Sequence, residues 1–178
     1  MKKQIKRNNV QRVRFLCTAA IIAALYVALT YVSMFLGLDK NAIQIRFSEA
    51  LCVLAFVTPA AVPGMTVGCL LANILTGCAP LDILLGPIAT FIGAIGAYLI
   101  GKMRNVNVAR WICTVPNIVS NTVIVTVVCF FCYTAPSAQT WEIVPFYAAT
   151  VFIGEVISCG VIGTVLLRSS EKILCRIC

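Results

Sequence analysis

Histidine is absent from this chain of 178 residues, and only six residues are acidic. Without imidazole the side chain that most often moves protons near neutral pH is missing. Together with the lack of a GxSxG nucleophile context, this argues against an intramembrane enzyme. Charge of either sign is scarce. Charged residues make up 11% of the chain, where a soluble domain carries about 25%. Lipid is therefore the expected solvent for most of the surface. Alternating polar and apolar runs are also missing, which excludes a membrane barrel, and no loop is long enough to fold as a domain of its own.

What the chain has is apolar length. Hydrophobic residues reach 61% and the mean hydropathy is +0.99. A helix needs roughly 20 apolar residues to cross the hydrocarbon core. Candidate spans read at Phe15–Leu38, Phe47–Val62, Gly64–Leu75, Leu81–Gly101, Trp111–Tyr133 and Val144–Leu167. The second and third are short and are divided by a turn at Pro59–Gly64. The expected fold is an all-α membrane protein, a compact six-transmembrane-helix bundle over residues 15–168. Residues 1–14 form a basic cytoplasmic segment and residues 169–178 a cytoplasmic tail.

Orientation follows from the fourteen basic residues. Lys2, Lys3, Lys6, Arg7, Arg12 and Arg14 precede the first span, Lys102, Arg104 and Arg110 follow the fourth, and Arg168, Lys172 and Arg176 follow the sixth. Six crossings put all twelve on one side, leaving Lys40 and Arg46 on the other. Positive residues mark the cytoplasmic face, so both termini are expected inside. The net charge of +8 is thereby accounted for without nucleic acid, which would require a basic face with aromatic neighbours. The first apolar stretch is too long for a signal peptide and reads as an uncleaved helix.

Two patterns carry less than they suggest. The ten cysteines include CxxC spacings at Cys129–Cys132 and Cys175–Cys178, but the topology separates them, and one structural zinc ion needs four ligands. Most cysteines read as small buried hydrophobes; no metal and no cofactor is expected. Gly96–Lys102 fits GxxxxGK, yet Met103 stands where a P-loop has Ser or Thr, and the segment is an apolar helix.

Small residues recur every four positions as Ala20, Ala24 and Ala28 in the first span and as Ala89, Gly93, Ala97 and Gly101 in the fourth. Such stripes let helices approach closely. The second suits internal packing, whereas the first suits either internal or intermolecular packing.

Polar residues inside the spans are Glu49, Asn73, Asp82, Asn117, Asn121 and Glu155. A carboxylate at the middle of a membrane helix costs roughly 2.5–3.5 kcal/mol, so such groups face a cavity or a partner. With the expected topology, Arg46, Glu49, Asn73 and Asp82 lie toward the outside. Glu155 falls near the midplane, roughly 16 Å along its helix. Convergence on an outward-opening pocket is the expected arrangement. Local alternatives stand beside it: an Arg46–Glu49 pair three residues apart, Asp82 complementing a helix dipole, and Asn73 bridging helices. With carboxylates in excess, the pocket suits a solute rich in hydrogen-bond donors or positively charged.

Ile43–Leu51, Thr58–Gly64 and Gly68–Asn73, with Pro80–Ile83, Gly86, Ala89–Thr90 and Gly154–Glu155, resemble the QueT family across about Ala19 to Lys172. Ala55 and Pro87 depart from that pattern, and Pro87 bears on the first turn of the fourth helix. The resemblance implies the substrate-binding S component of an energy-coupling factor (ECF) transporter in the plasma membrane. Its expected partners are a transmembrane coupling subunit and two ATPase subunits, with Ala20, Ala24 and Ala28 on the coupling face. The implied substrate is a queuosine precursor, a 7-deazaguanine such as the aminomethyl base or queuine. Arg46, Glu49, Asn73, Asp82 and Glu155 are the expected substrate-binding residues. The competing reading is a stand-alone proton-coupled carrier with Glu155 as its relay.

Overall fold

Helix length divides this bundle into two kinds of element. The computed structural model describes residues 2–38, 44–103, 106–134 and 139–169, with side chains from residue 9 onward, residues 106 and 107 excepted. Among the described residues four helices are long and apolar enough to cross a membrane. They are α1 (Lys2–Phe35, apolar from Asn9), α4 (Pro80–Gly101), α5 (Val108–Tyr133) and α6 (Trp141–Ser169). Two are shorter, α2 (Phe47–Val57) and α3 (Ala61–Leu75). No strand occurs among the described residues. Lys40, Arg104, Lys172, Arg176 and the Cys175–Cys178 pair lie outside the described residues, as do the tail from residue 170 and the side chains of Lys2, Lys3, Lys6 and Arg7.

The structure redraws several expected boundaries. Residues 2–14 continue α1 as one helix. No Gly or Pro interrupts the 34 residues of α1, so nothing ends the helix before Gly37. At 1.5 Å per residue it is about 51 Å long, well beyond the ~30 Å hydrocarbon core. The turn after α2 is confined to residues 58–60. Pro63 sits in the first turn of α3, where its missing N–H has no intrahelical partner to lose. Pro87 is buried inside α4, beyond the first turn, and the helix continues to Gly101. In α5 a turn at residues 113–114 precedes Pro116. Two stretches widen to π-helix, Cys129–Tyr133 at the end of α5 and Val156–Gly163 within α6.

α2 can be short because it is enclosed. It packs against α1, α4 and α6, and Ser48 to Val53 are all buried. Its eleven residues, a 3-10 helix over Phe47–Cys52 followed by α-helix over Val53–Val57, span roughly 20 Å at the centre of the bundle. Around it α3 packs on α1 and α4, and α5 on α4 and α6. The ends of α1 and α3 are fixed alike. Gly37 and Gly77 both have φ +69°, and the bonds Leu38 N–H to Ser33 O (3.0 Å) and Cys78 N–H to Asn73 O (3.0 Å) close Schellman turns. These turns bring residues 44–46 and 79–82 to the same end of the bundle, called here the upper end.

Small residues set the helix spacing. A side chain at Gly68 would meet Ala23 and Tyr26, so α1 presents Ala19 and Ala23 to α3. Ala20, Ala24 and Ala28 point elsewhere and are exposed. On α4, Ala89, Gly93 and Ala97 are buried inside the bundle. The α4 stripe is internal packing, as expected.

Candidate functional site

The polar side chains form two clusters that flank one cleft. The upper cluster is built on the connection into α2 and on the α3–α4 turn. Arg46 has extended backbone, φ −111° and ψ 109°, so it stands outside the helix that carries Glu49. Its guanidinium Nη2 lies 3.6 Å from Asp82 Oδ2; the expected local pair with Glu49 is not the one formed. Tyr133 donates its hydroxyl to the same Asp82 oxygen at 3.4 Å. Asn73 Nδ2 donates to the backbone carbonyl of Asp82 at 2.9 Å, bridging α3 and α4. Asp82 Oδ1 is buried without a hydrogen-bond partner among the described residues. It lies beside Gly86, where an added Cβ would sit 3.2 Å from it.

The inner cluster joins α1, α2, α5 and α6. One oxygen of Glu49 accepts a short hydrogen bond from the Tyr26 hydroxyl. The other accepts from Asn117 Nδ2 at 3.0 Å and from Asn121 Nδ2 at 3.2 Å. The Asn117 amide also reaches Glu155 Oε2 at 3.5 Å and Cys159 Sγ at 3.1 Å. The Cys159 thiol lies 3.3 Å from Glu155 Oε2. Glu49, Asn117, Asn121 and Glu155 are all at least nine-tenths buried. Glycines permit this convergence: a Cβ at Gly93 would stand 2.6 Å from Asn117 Cα. A Cβ at Gly154 would strike the backbone of Gln44, so only Gly there lets the α1–α2 connection lie across α6 above Glu155.

Ligand atoms of Glu49, Glu155 and Cys159 lie within 4.8 Å of one another. Two unit charges about 5 Å apart repel by about 3 kcal/mol at an effective dielectric near 20. These three residues are the metal-compatible group among the described residues, but the Asn117 and Cys159 bonds already connect their inner atoms.

Between the clusters runs a cleft of about 370 Å³, lined by Gln44, Arg46, Glu49, Cys69, Gly86, Thr90, Asn121, Val125, Val151 and Glu155. It is narrow: the centres of water molecules reach only about 20 Å³ of it, space for about one and far below the about 300–1,000 Å³ of ligand sites. A bicyclic solute therefore enters only when part of the wall moves. Gln44 and Arg46 also line a wider recess at the upper end, about 1000 Å³, with Cys78 and Tyr133 among its other residues. The segment 44–46 thus partitions cleft from recess.

Of the expected binding residues, Arg46, Glu49 and Glu155 face the cleft, while Asn73 and Asp82 stand behind its α3–α4 wall. Asn117 and Asn121 were visible in the sequence as intramembrane polar groups and, four apart, share a helix face. Tyr26 and Cys159 carried no such signal among many apolar neighbours.

Comparison with known proteins follows the same direction. The profile of the QueT transporter family matches residues 16–172. A relative described as "Queuosine precursor transporter QueT", from Lactococcus lactis subsp. cremoris (strain MG1363), is 35% identical over 75 residues, covering 42% of this chain and 44% of the relative. The aligned stretch thus spans less than half of that relative's length. No solved structure matches. The family match and four long apolar helices make the chain a multi-pass protein of the cell membrane.

Proposed function

We propose that the chain, which belongs to the QueT transporter family, is the substrate-binding component of an ECF importer and captures a queuosine precursor from outside the cell. On this reading all six helices cross or enter the bilayer over residues 15–168, with both termini in the cytoplasm. The upper recess then opens outward. Asn9 to Cys17 of α1 are exposed and extend toward the cytoplasmic side. The name carried by the Lactococcus relative supports the substrate class, a 7-deazaguanine such as the aminomethyl base or queuine.

The observation that carries the proposal is the convergence of Glu49 and Glu155 on one buried cleft that also receives Arg46. A carboxylate accepts two parallel hydrogen bonds from an N–H/NH₂ edge like that of guanine, and a second carboxylate suits an amine. Arg46 orients the base, and Asp82 and Asn73 hold Arg46 and the α4 wall in place. Replacing Glu49 or Glu155 by Gln should weaken binding at least tenfold, about 1.4 kcal/mol. Unchanged calorimetric affinity in both variants removes them from the site. Mass spectrometry of the small molecule retained by protein purified from cells identifies the substrate directly.

Coupling to ATP hydrolysis rests on partner subunits, one transmembrane and two ATPases. The exposed stripe Ala20, Ala24 and Ala28 is the proposed contact with the transmembrane partner, because small residues allow close helix approach in lipid. Leucine at all three positions should leave ligand capture intact and abolish uptake. Uptake into vesicles that contain this chain alone, stopped by an uncoupler, would instead establish a proton-coupled carrier.

A further inference from the structure

We propose that in the empty cleft Glu49 and Glu155 hold one proton between them, and that a cationic group of the captured ligand takes its place and releases that proton to solvent. This deepens the reading above and rests on it for where the ligand lies. It concerns a property of that cleft that family membership does not specify, namely how its charge is balanced with and without cargo.

The argument is a charge census of the cleft. Among the described residues two carboxyl groups line it, Glu49 and Glu155, with Asp82 behind its wall, against one cation, Arg46. Arg46 and Asp82 are neighbours at 3.6 Å and neutralise one another. The groups facing Glu49 and Glu155 from the surrounding elements are Tyr26 of α1, Cys52 of α2, Cys69 of α3, Asn117 and Asn121 of α5, and Cys159 of α6. Phenol, thiol and amide groups are all uncharged in their ordinary state at neutral pH. Arg46 lines the same cleft but is already matched by Asp82, so among the described residues the pair has donors and no countercharge of its own.

Geometry forces the two groups to share. Asn117 Nδ2 donates toward both carboxyls, and Gly93 leaves no slack behind its backbone. Like carboxylates fixed this closely in a dry site do not both ionise, and one proton between them removes the repulsion. An ammonium group entering the cleft supplies the missing positive charge. The shared proton then departs, one charge replacing another. Asn117 is the positioning residue in this exchange, since it holds the two acids on one donor.

Calorimetry on the full-length chain in lipid nanodiscs tests this with two probes, 7-aminomethyl-7-deazaguanine and the uncharged base carrying a nitrile in place of the aminomethyl group. Titration in buffers of different ionisation enthalpy should show about one proton released per aminomethyl base and none per nitrile base. Affinity for the aminomethyl base should rise with pH, by about tenfold per unit while the pair is protonated. Capture of the aminomethyl base without proton release overturns the inference and leaves the capture reading standing. Equal release with the nitrile base overturns it as well. If neither base binds, the substrate assignment fails, and infrared spectra of the empty protein decide the proton separately. A protonated-carboxyl band that disappears in Glu155→Gln upholds the shared proton, and its absence from the unmodified protein disproves it.

Discussion

The two clusters beside the cleft are made of the same kinds of residue and solve opposite problems. In the upper cluster an arginine answers an aspartate, a tyrosine adds a second donor, and the wide recess beside it reaches Arg46 and Tyr133. In the inner cluster two glutamates meet amides, a phenol and a thiol, all deep in the bundle and, among the described residues, without a cation of their own. A balanced pair can frame an entrance without favouring any charge on the solute. An unbalanced pair is stable only when something positive joins it. The difference assigns wall-building to the upper cluster and affinity to the inner one.

The most disruptive way to break this contrast is Gly93→Leu. Any side chain at this position overlaps Asn117, so α4 and α5 must separate and the inner cluster loses its shared donor. Ligand binding should fall by more than a hundredfold, and thermal unfolding in detergent should shift down. Even Gly93→Ala should cost about 1–3 kcal/mol as overpacking.

Glu49→Gln comes next. It keeps the shape of the side chain and removes its charge, with the expected loss of tenfold or more in calorimetric affinity. An upper-cluster substitution of equal effect would erase the distinction between the two regions. Asp82→Asn should do less, because Arg46 is partly solvent-exposed (20%) and water replaces part of its lost partner. Affinity should fall by about fivefold or less, with roughly 1 kcal/mol lost in stability. Tyr133→Phe removes two long hydrogen bonds, one given to Asp82 and one accepted from the Ala79 N–H, from a half-exposed side chain. Binding should change by no more than about twofold, in keeping with roughly 0.5 kcal/mol for the bond to Asp82.

Apolar run length was enough to find the six helices among the described residues. It was not enough to place their ends. Basic residues were read as a boundary before Phe15, yet Lys and Arg are good helix formers and α1 passes through them. The pairing of Arg46 was illegible for a related reason. A spacing of three unites side chains only when both belong to one helix, and Arg46 is extended. Its partner Asp82 is 36 positions away, brought near by the turn at Gly77. The intramembrane acids could be recognised as cleft residues because lipid leaves such groups few other places. Tyr26 could not, since a tyrosine in an apolar helix is ordinarily packing, and its hydroxyl matters only once α2 sits against α1.

The widened turns of α6 between Val156 and Gly163 make its residue count adjustable at that one place. A helix advances about 100° per residue, and wide turns of this kind accommodate an additional residue. Deleting a single residue there would let the coil tighten toward an ordinary α-helix and keep Glu155 close to its present facing. The same deletion in the α-helical turns after Gly163 would swing Glu155 about a quarter-turn relative to the end of α6, so the wide turns are the part of this helix that can give up a residue and keep its aim.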